Sequence, residues 1–131
     1  MIGNRIKIEK KTDSRGMLTA INDIPFEAKR IFFISDVPKD AVRGGHFSKT
    51  SQFLYLVVEG ACKVELDNGI EKENHELNMG DGLIFKKNTW MILSGFKEKT
   101  ILCVLADTEY NPSDYSENYN ELHEVVRGED V

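Results

Sequence analysis

Of the side chains that exchange protons near neutral pH, this 131-residue chain has three histidines, at positions 46, 75 and 123. His46 has the richest surroundings. It follows Arg43-Gly44-Gly45, precedes Ser48 and Lys49, and leads into the apolar run 53–58, which stops at Glu59-Gly60. A strand that opens with proton-transferring groups and closes in a tight turn places chemistry at the mouth of a small β-barrel. There His46 would take and return a proton, with Arg43 and Lys49 holding an anion and Gln52 and Tyr55 offering polar groups farther along. The same residue types also suit a loop histidine with no role. His75, between Asn74 and Glu76, and His123, near the C-terminal end of the sequence, are expected to be exposed.

Other chemistries find less support. A metal-binding barrel of this kind needs two histidines one residue apart, a carboxylate soon after and a third histidine on a later strand. Here His46 is followed by Phe47-Ser48, and no histidine occurs between residues 76 and 122. No metal and no cofactor is therefore expected. There is no G-x-S-x-G elbow, no P-loop and no G-x-G-x-x-G. Cys62 and Cys103 lack C-x-x-C spacing and sit in apolar, strand-like runs, so both are expected to be buried free thiols. Arg30 leads the apolar stretch 30–35 and is either solvated or, with Arg15 and Arg43, part of an anion site. Trp90 is either core or a stacking surface for a base or sugar ring.

Short strands would have to position these groups. Residues 5–9 alternate basic and apolar as an edge strand does, and 12–16 form a turn before a strand at 17–21. Residues 30–35 are strongly β-prone. Residues 61–66 alternate, Asn68-Gly69 signals a type I′ hairpin, and the strand returns over 70–77. Further strands fall at 83–85, 90–93 and 100–106, the last apolar enough to be central. Nine or ten short strands with turn signals every 8 to 12 residues predict a sandwich or barrel rather than βαβ units. Asn111-Pro112-Ser113 has a capping residue followed by proline, a helix start, but the weak apolar period of 115–126 predicts only one or two helical turns.

Composition agrees with a single domain over 1–131, a barrel at 1–109 and a partly helical tail at 110–131. The chain is 40% hydrophobic and 30% charged with net charge −5, which argues against nucleic acid as partner. No apolar run approaches a membrane span, and no leader pattern opens the sequence, so a cytoplasmic location is expected.

The order of motifs resembles the sugar-nucleotide 3,4-ketoisomerases of the cupin superfamily. The resemblance rests on Arg15-Gly16, Ile24-Pro25-Phe26-Glu27 with Lys29-Arg30, Val37-Pro38 leading to Arg43-Gly44-Gly45-His46, Gly60, Asp67-Asn68-Gly69 and Trp90. It continues through Val104-Leu105-Ala106 and Tyr110-Asn111-Pro112-Ser113-Asp114-Tyr115 with Tyr119. It implies an all-β, double-stranded β-helix (a cupin or jelly-roll barrel) with a short C-terminal helical segment, a homodimer and no metal. It also implies a dTDP-linked 4-keto-6-deoxyhexose as substrate, whose ketone moves from C4 to C3 on the way to deoxyamino sugars of surface polysaccharide. His46 matches the family's first histidine, the base, and Arg30 and Arg43 match basic positions for diphosphate or sugar. Lys49, Gln52, Trp90 and Arg15 complete the expected binding set, and Ser48 and Tyr55 the expected proton-transfer set. One departure stands out: where the family reads His-Ala-His-Lys, this chain reads His46-Phe47-Ser48-Lys49. A sugar-nucleotide-binding cupin with no reaction, or a different one, is the alternative, and a 3,5-epimerase-like activity a third.

Overall fold

In the computed structural model, which describes residues 1–129, the apolar run 53–58 is covered on both faces. It lies within β6 (Phe53–Glu59), the middle strand of a five-stranded antiparallel sheet. That sheet has the order β1 (Asn4–Lys7), β9 (Asp81–Phe85), β6, β11 (Ile101–Ala106), β4 (Arg30–Ser35). The second sheet has the order β12 (Tyr115–Ser116), β5 (Arg43–Ser48), β10 (Trp90–Ser94), β7 (Ala61–Asp67), β8 (Lys72–Asn78). A separate hairpin joins β2 (Glu9–Asp13) to β3 (Gly16–Ala20), and one helix, α1 (Tyr119–Glu129), follows β12.

The core lies between the two large sheets. Tyr55 and Val57 of β6, Leu102 and Val104 of β11, Val64 and Leu66 of β7 and Leu93 of β10 share one buried cluster. The intervening residues Leu54, Leu56, Cys103 and Leu105 form a second cluster on the sheet's other face, packed by Ile21, Ile24, Phe26 and Ala28. Burial on both faces explains why β6 and β11 read as continuous apolar runs instead of alternating ones. Both cysteines are buried free thiols, and desolvation pushes Cys62 up to about 11. The architecture is the jelly-roll barrel expected.

The chain changes sheets between β6 and β7 at Gly60, where the backbone adopts φ 80° and a Cβ would lie 2.8 Å from the Thr100 Cα. Thr100 fills the corner instead, its Oγ1 accepting from the Ala61 N–H and donating to the Lys97 carbonyl. Only glycine fits both the angle and the approach.

Four local expectations need correction. The edge strand at 5–9 is broken at Ile8, whose N–H donates to the Gly80 carbonyl; β1 stays on β9 while β2 pairs with β3 alone. The hairpin after β7 is not a two-residue type I′ turn. Asn68 keeps a negative φ and uses its Oδ1 to accept from the Ile70 and Glu71 N–H groups, so only Gly69 adopts positive φ and the loop is longer. The tail forms an eleven-residue helix, α1, rather than one or two turns, because Leu122 is fully buried on its inner side and Tyr119 is anchored to Asp67.

Neither His75 nor His123 is exposed: both are half-buried, His123 edge-on to the Tyr119 ring at 4.9 Å and His75 with its Nε2 3.0 Å from Glu73 Oε1. Glu73 also accepts from the backbone N–H groups of Gly3 and Ile2, which hold its carboxyl down at about 2, against an ordinary value of 4.5. A depressed folded value means stabilisation fully present above about pH 4.5 and lost as pH falls towards 2. In urea titrations, Glu73→Gln is therefore expected to lower stability at neutral pH and to flatten its fall between those two values.

Candidate active site

His46 reaches the barrel interior because β5 is bulged. Along a regular strand, Arg43 and His46 would face opposite sides, being an odd number of residues apart. The pairing of β5 with β10 runs Met91 opposite His46, then Ile92 opposite Gly44 and Leu93 opposite Arg43, so Gly45 is an extra residue. Gly44 and Gly45 carry φ of 86° and 76°, and a Cβ on Gly44 would fall 2.6 Å from the Met91 carbonyl oxygen. The bulge re-aims the strand so that Arg43 and His46 line one cavity.

That cavity, about 500 Å³, opens between the sheets. Arg30 from β4, Tyr55 from β6 and Met91 and Leu93 from β10 complete its barrel wall, with Phe32 and Ile34 beside Arg30. Its remaining wall comes from the tail, as Tyr110, Tyr115 and Glu117. The volume suits a small organic ligand.

The polar groups inside are unevenly committed. The Arg30 guanidinium lies over the rings of Phe32, Tyr110 and Tyr115, at 5.1, 5.3 and 5.8 Å, and its Nη2 donates to the Tyr115 hydroxyl. Its Nε is buried with no acceptor, a donor the protein itself leaves unpaired. The His46 ring meets Tyr115 edge-on, centroids 5.3 Å apart, and makes no hydrogen bond among the described residues. Burial lowers its proton affinity below the ordinary 6.5, and the negative charge of Glu117 opposes part of that shift. The imidazole is thereby kept largely neutral near pH 7, the form that accepts a proton. The Tyr55 hydroxyl, 3% exposed as a residue, is pushed well above the usual phenol range by burial and stays a donor. Among the described residues, no three His, Cys, Asp or Glu side chains converge in a way that could hold a metal ion.

Four of the residues singled out in the sequence thus meet in the cavity: Arg30, Arg43, His46 and Tyr55. Four others are engaged elsewhere within the chain, two of them holding the tail. Gln52 donates to both Asp107 carboxylate oxygens, from its N–H at 2.9 Å and its Nε2 at 3.1 Å. Lys49 pairs with Glu121 at 2.7 Å, and its N–H donates to the Asp114 carbonyl. Trp90 packs between Phe47 and Tyr119. Ser48, at the end of β5, is buried, and its Oγ accepts from the N–H groups of Thr50 and Ser51 at 3.2 and 2.9 Å. It closes the β5–β6 turn and does not line the cavity. Arg15 lies on the exposed β2–β3 hairpin, paired with Asp13 at 2.7 Å, and is likewise outside it.

Sequence reasoning missed Glu117, Tyr110 and Tyr115 as lining residues. The signal available was the capped Asn111-Pro112-Ser113 turn, which starts β12 along β5, with Tyr115 opposite Ser48 and Ser116 opposite Phe47. Because the Ser48 Oγ satisfies the buried Ser51 N–H as well as that of the exposed Thr50, Ser48→Ala is expected to lower stability by about 1–2 kcal/mol. The same variant should leave turnover within a few-fold, which melting curves beside steady-state rates would check.

The chain matches the WxcM-like, C-terminal family (FdtA) over residues 3–127. It is 31% identical over 125 residues, 92% of this chain and 90% of the relative, to the TDP-4-oxo-6-deoxy-alpha-D-glucose-3,4-oxoisomerase of Aneurinibacillus thermoaerophilus. Among solved structures it resembles the sugar 3,4-ketoisomerase QdtA of Thermoanaerobacterium thermosaccharolyticum in complex with TDP, at TM-score 0.91 and 32% identity, covering 98% of this chain and 97% of that one. It also resembles WlaRA, the TDP-fucose-3,4-ketoisomerase of Campylobacter jejuni, at TM-score 0.86 and 31% identity, covering 95% and 96%.

Proposed function

Because the chain belongs to the WxcM-like, C-terminal family, we propose that it is a 3,4-ketoisomerase acting on a TDP-linked 4-keto-6-deoxyhexose. The observation that carries this reading is the bulged strand that sets an uncommitted imidazole in one cavity with two guanidinium groups. One of those groups has a buried N–H without an acceptor. Arginines in such a place bind a sugar diphosphate or a developing oxyanion through charge-assisted hydrogen bonds.

The chemistry follows from the groups present. The proton on C3, next to the C4 ketone, is acidic, and the neutral His46 ring removes it to give an enediolate. The Tyr55 hydroxyl, which remains protonated, donates to an enediolate oxygen, and Arg30 and Arg43 balance the negative charge. Return of the proton from His46 to C4 leaves the ketone at C3. Apolar neighbours, Phe32, Ile34, Met91 and Leu93, limit water around the intermediate. Ser48 takes no part, since its Oγ is engaged in the turn.

The test supplies TDP-4-keto-6-deoxyglucose to the purified protein in D2O. Deuterium should enter the sugar ring, and a 3-keto product should accumulate that an aminotransferase traps. Saturable binding of the nucleotide with neither exchange nor product would support the alternative, a sugar-nucleotide-binding cupin without this reaction.

The protein is further proposed to act as a homodimer in the cytoplasm. Ile31 and Phe33 are 60% and 64% exposed on the edge strand β4, an apolar surface that a second copy would cover. The free buried thiols fit a reducing compartment. Light scattering should return twice the chain mass; a monomer at micromolar concentration would reject the dimer.

A further inference from the structure

The isomerisation proposed above moves two protons, and His46 accounts for one. The 4-keto sugar carries hydrogen on C3 and on the oxygen at C3. The 3-keto product carries hydrogen on C4 and on the oxygen at C4. His46 transfers the first between carbons. The second must leave one oxygen and reach its neighbour through another group in the same cavity.

The candidates are few. Ser48, two residues along from His46, is the acceptor of two backbone N–H groups and does not line the cavity. The Tyr55 hydroxyl is buried and holds its proton, so it suits donation rather than acceptance. Tyr115 accepts from Arg30. Glu117 is the one carboxylate lining the cavity among the described residues, and it makes no hydrogen bond or ion pair among them.

Its position is set by strand register. β12 and β5 are antiparallel, with Tyr115 opposite Ser48 and Ser116 opposite Phe47. Glu117 is the next residue along, just past the last paired position of β12. Tyr115 and Glu117 both line the cavity, while Ser116 between them is buried and donates to Glu121. No hydrogen bond or ion pair joins the imidazole to the carboxylate among the described residues, so the carboxylate does not orient the ring directly. Both side chains line the one cavity, Glu117 exposed to solvent and near enough for its charge to act on the imidazole.

We infer that Glu117 is a second catalytic residue: its carboxylate carries the proton from the C3 hydroxyl oxygen to the C4 oxygen, while His46 carries the other from C3 to C4. In balance, His46 breaks the C3–H bond and the electron pair forms the C3–C4 double bond, leaving negative charge on the C4 oxygen. One carboxylate oxygen of Glu117 takes the proton from the C3 hydroxyl, and the carboxylic acid then delivers it to the C4 oxygen. Collapse of the C3 oxygen to a ketone returns the electron pair to C4, which takes its proton from His46. No oxidant or reductant is consumed, and both side chains end as they began.

The inference rests on the ketoisomerase reading, and the experiment separates the two. Wild type and Glu117→Gln are incubated with TDP-4-keto-6-deoxyglucose in D2O, and the loss of the C3 hydrogen from remaining substrate is followed beside formation of the 3-keto product. The glutamine variant is expected to wash out the C3 hydrogen within a few-fold of the wild-type rate. Its product formation should fall by about 100-fold or more. Exchange and product falling together, or neither falling, would overturn the role of Glu117. A wild-type protein that neither exchanges nor isomerises would overturn the ketoisomerase reading, and this inference with it.

Discussion

Replacing His46 by asparagine is expected to lower kcat by about 10³-fold while leaving TDP affinity within a few-fold. Asparagine nearly preserves the volume and polarity of the site but cannot accept a proton from carbon. The two guanidinium groups, of Arg30 and Arg43, enter the cavity from β4 and from the far side of the bulge, so the substitution leaves them in place. Steady-state rates beside calorimetric titration with TDP would separate the two effects. The pH dependence supplies a second signature. Burial holds the His46 imidazole below 6.5, and activity needs its neutral form. The acid limb of kcat/KM should therefore have its midpoint below 6.5, with a plateau through pH 7 to 8. A residual rate in the asparagine variant should lack that limb. An equal loss of kcat and of TDP affinity would show His46 to be a binding group instead of the base.

The second large effect is expected at Gly44. Alanine there would hold a side chain at φ 86° with its Cβ 2.6 Å from the Met91 carbonyl oxygen and 2.8 Å from the Met91 Sδ. The left-handed backbone alone costs about 1–2 kcal/mol, and forcing β5 away from β10 adds to it, for a total of about 3 kcal/mol. In a chain of this size that corresponds to a fall in Tm of about 10 °C. Gly45→Ala is the matched control: its φ is 76°, but nothing lies within 4 Å of an added Cβ. It should lose only the backbone term, about 1–2 kcal/mol. The difference between the two variants isolates the contact that seats the bulge. Activity should follow the contact, because displacing β5 moves His46 relative to Arg30, which belongs to the other sheet. Thermal melts with rates measured well below both transitions would show whether Gly44→Ala loses turnover beyond its loss of stability.

The barrel was largely legible in the sequence because its signals are local. Alternation at 61–66, the β-prone stretch at 30–35 and the apolar stretch at 100–106 each report the burial of their own residues, and the strands lie there. The hairpin after β7 misled for a local reason as well, since the Asn68 side chain captured two N–H groups that a type I′ turn would have arranged differently. The cavity was half legible. Arg43 and His46 stand three apart, a spacing that argues against a shared face until the two glycines are understood as a bulge. Lys49, Gln52 and Trp90 have the chemistry of ligand-binding groups, yet that chemistry is used on Asp107, Glu121 and Tyr119 of the same chain. Nothing in the local sequence distinguishes an anion supplied by a ligand from a carboxylate supplied much farther along the chain, 55 residues on in the case of Gln52. Glu117 escaped for the converse reason: it follows a two-residue strand too short to carry any period.

The tail wall has a consequence for how the protein comes into being. On the ribosome the chain emerges from its N-terminal side, and barrel strands can pair before residues 110–117 leave the exit tunnel. Arg30, Arg43, His46 and Tyr55 would then be present in a cavity that still lacks Tyr110, Tyr115 and Glu117. The Arg30 guanidinium at that stage has neither its hydroxyl acceptor nor two of its three covering rings. A nascent chain is accordingly unable to form the complete site until Tyr110, Tyr115 and Glu117 have been made and have docked.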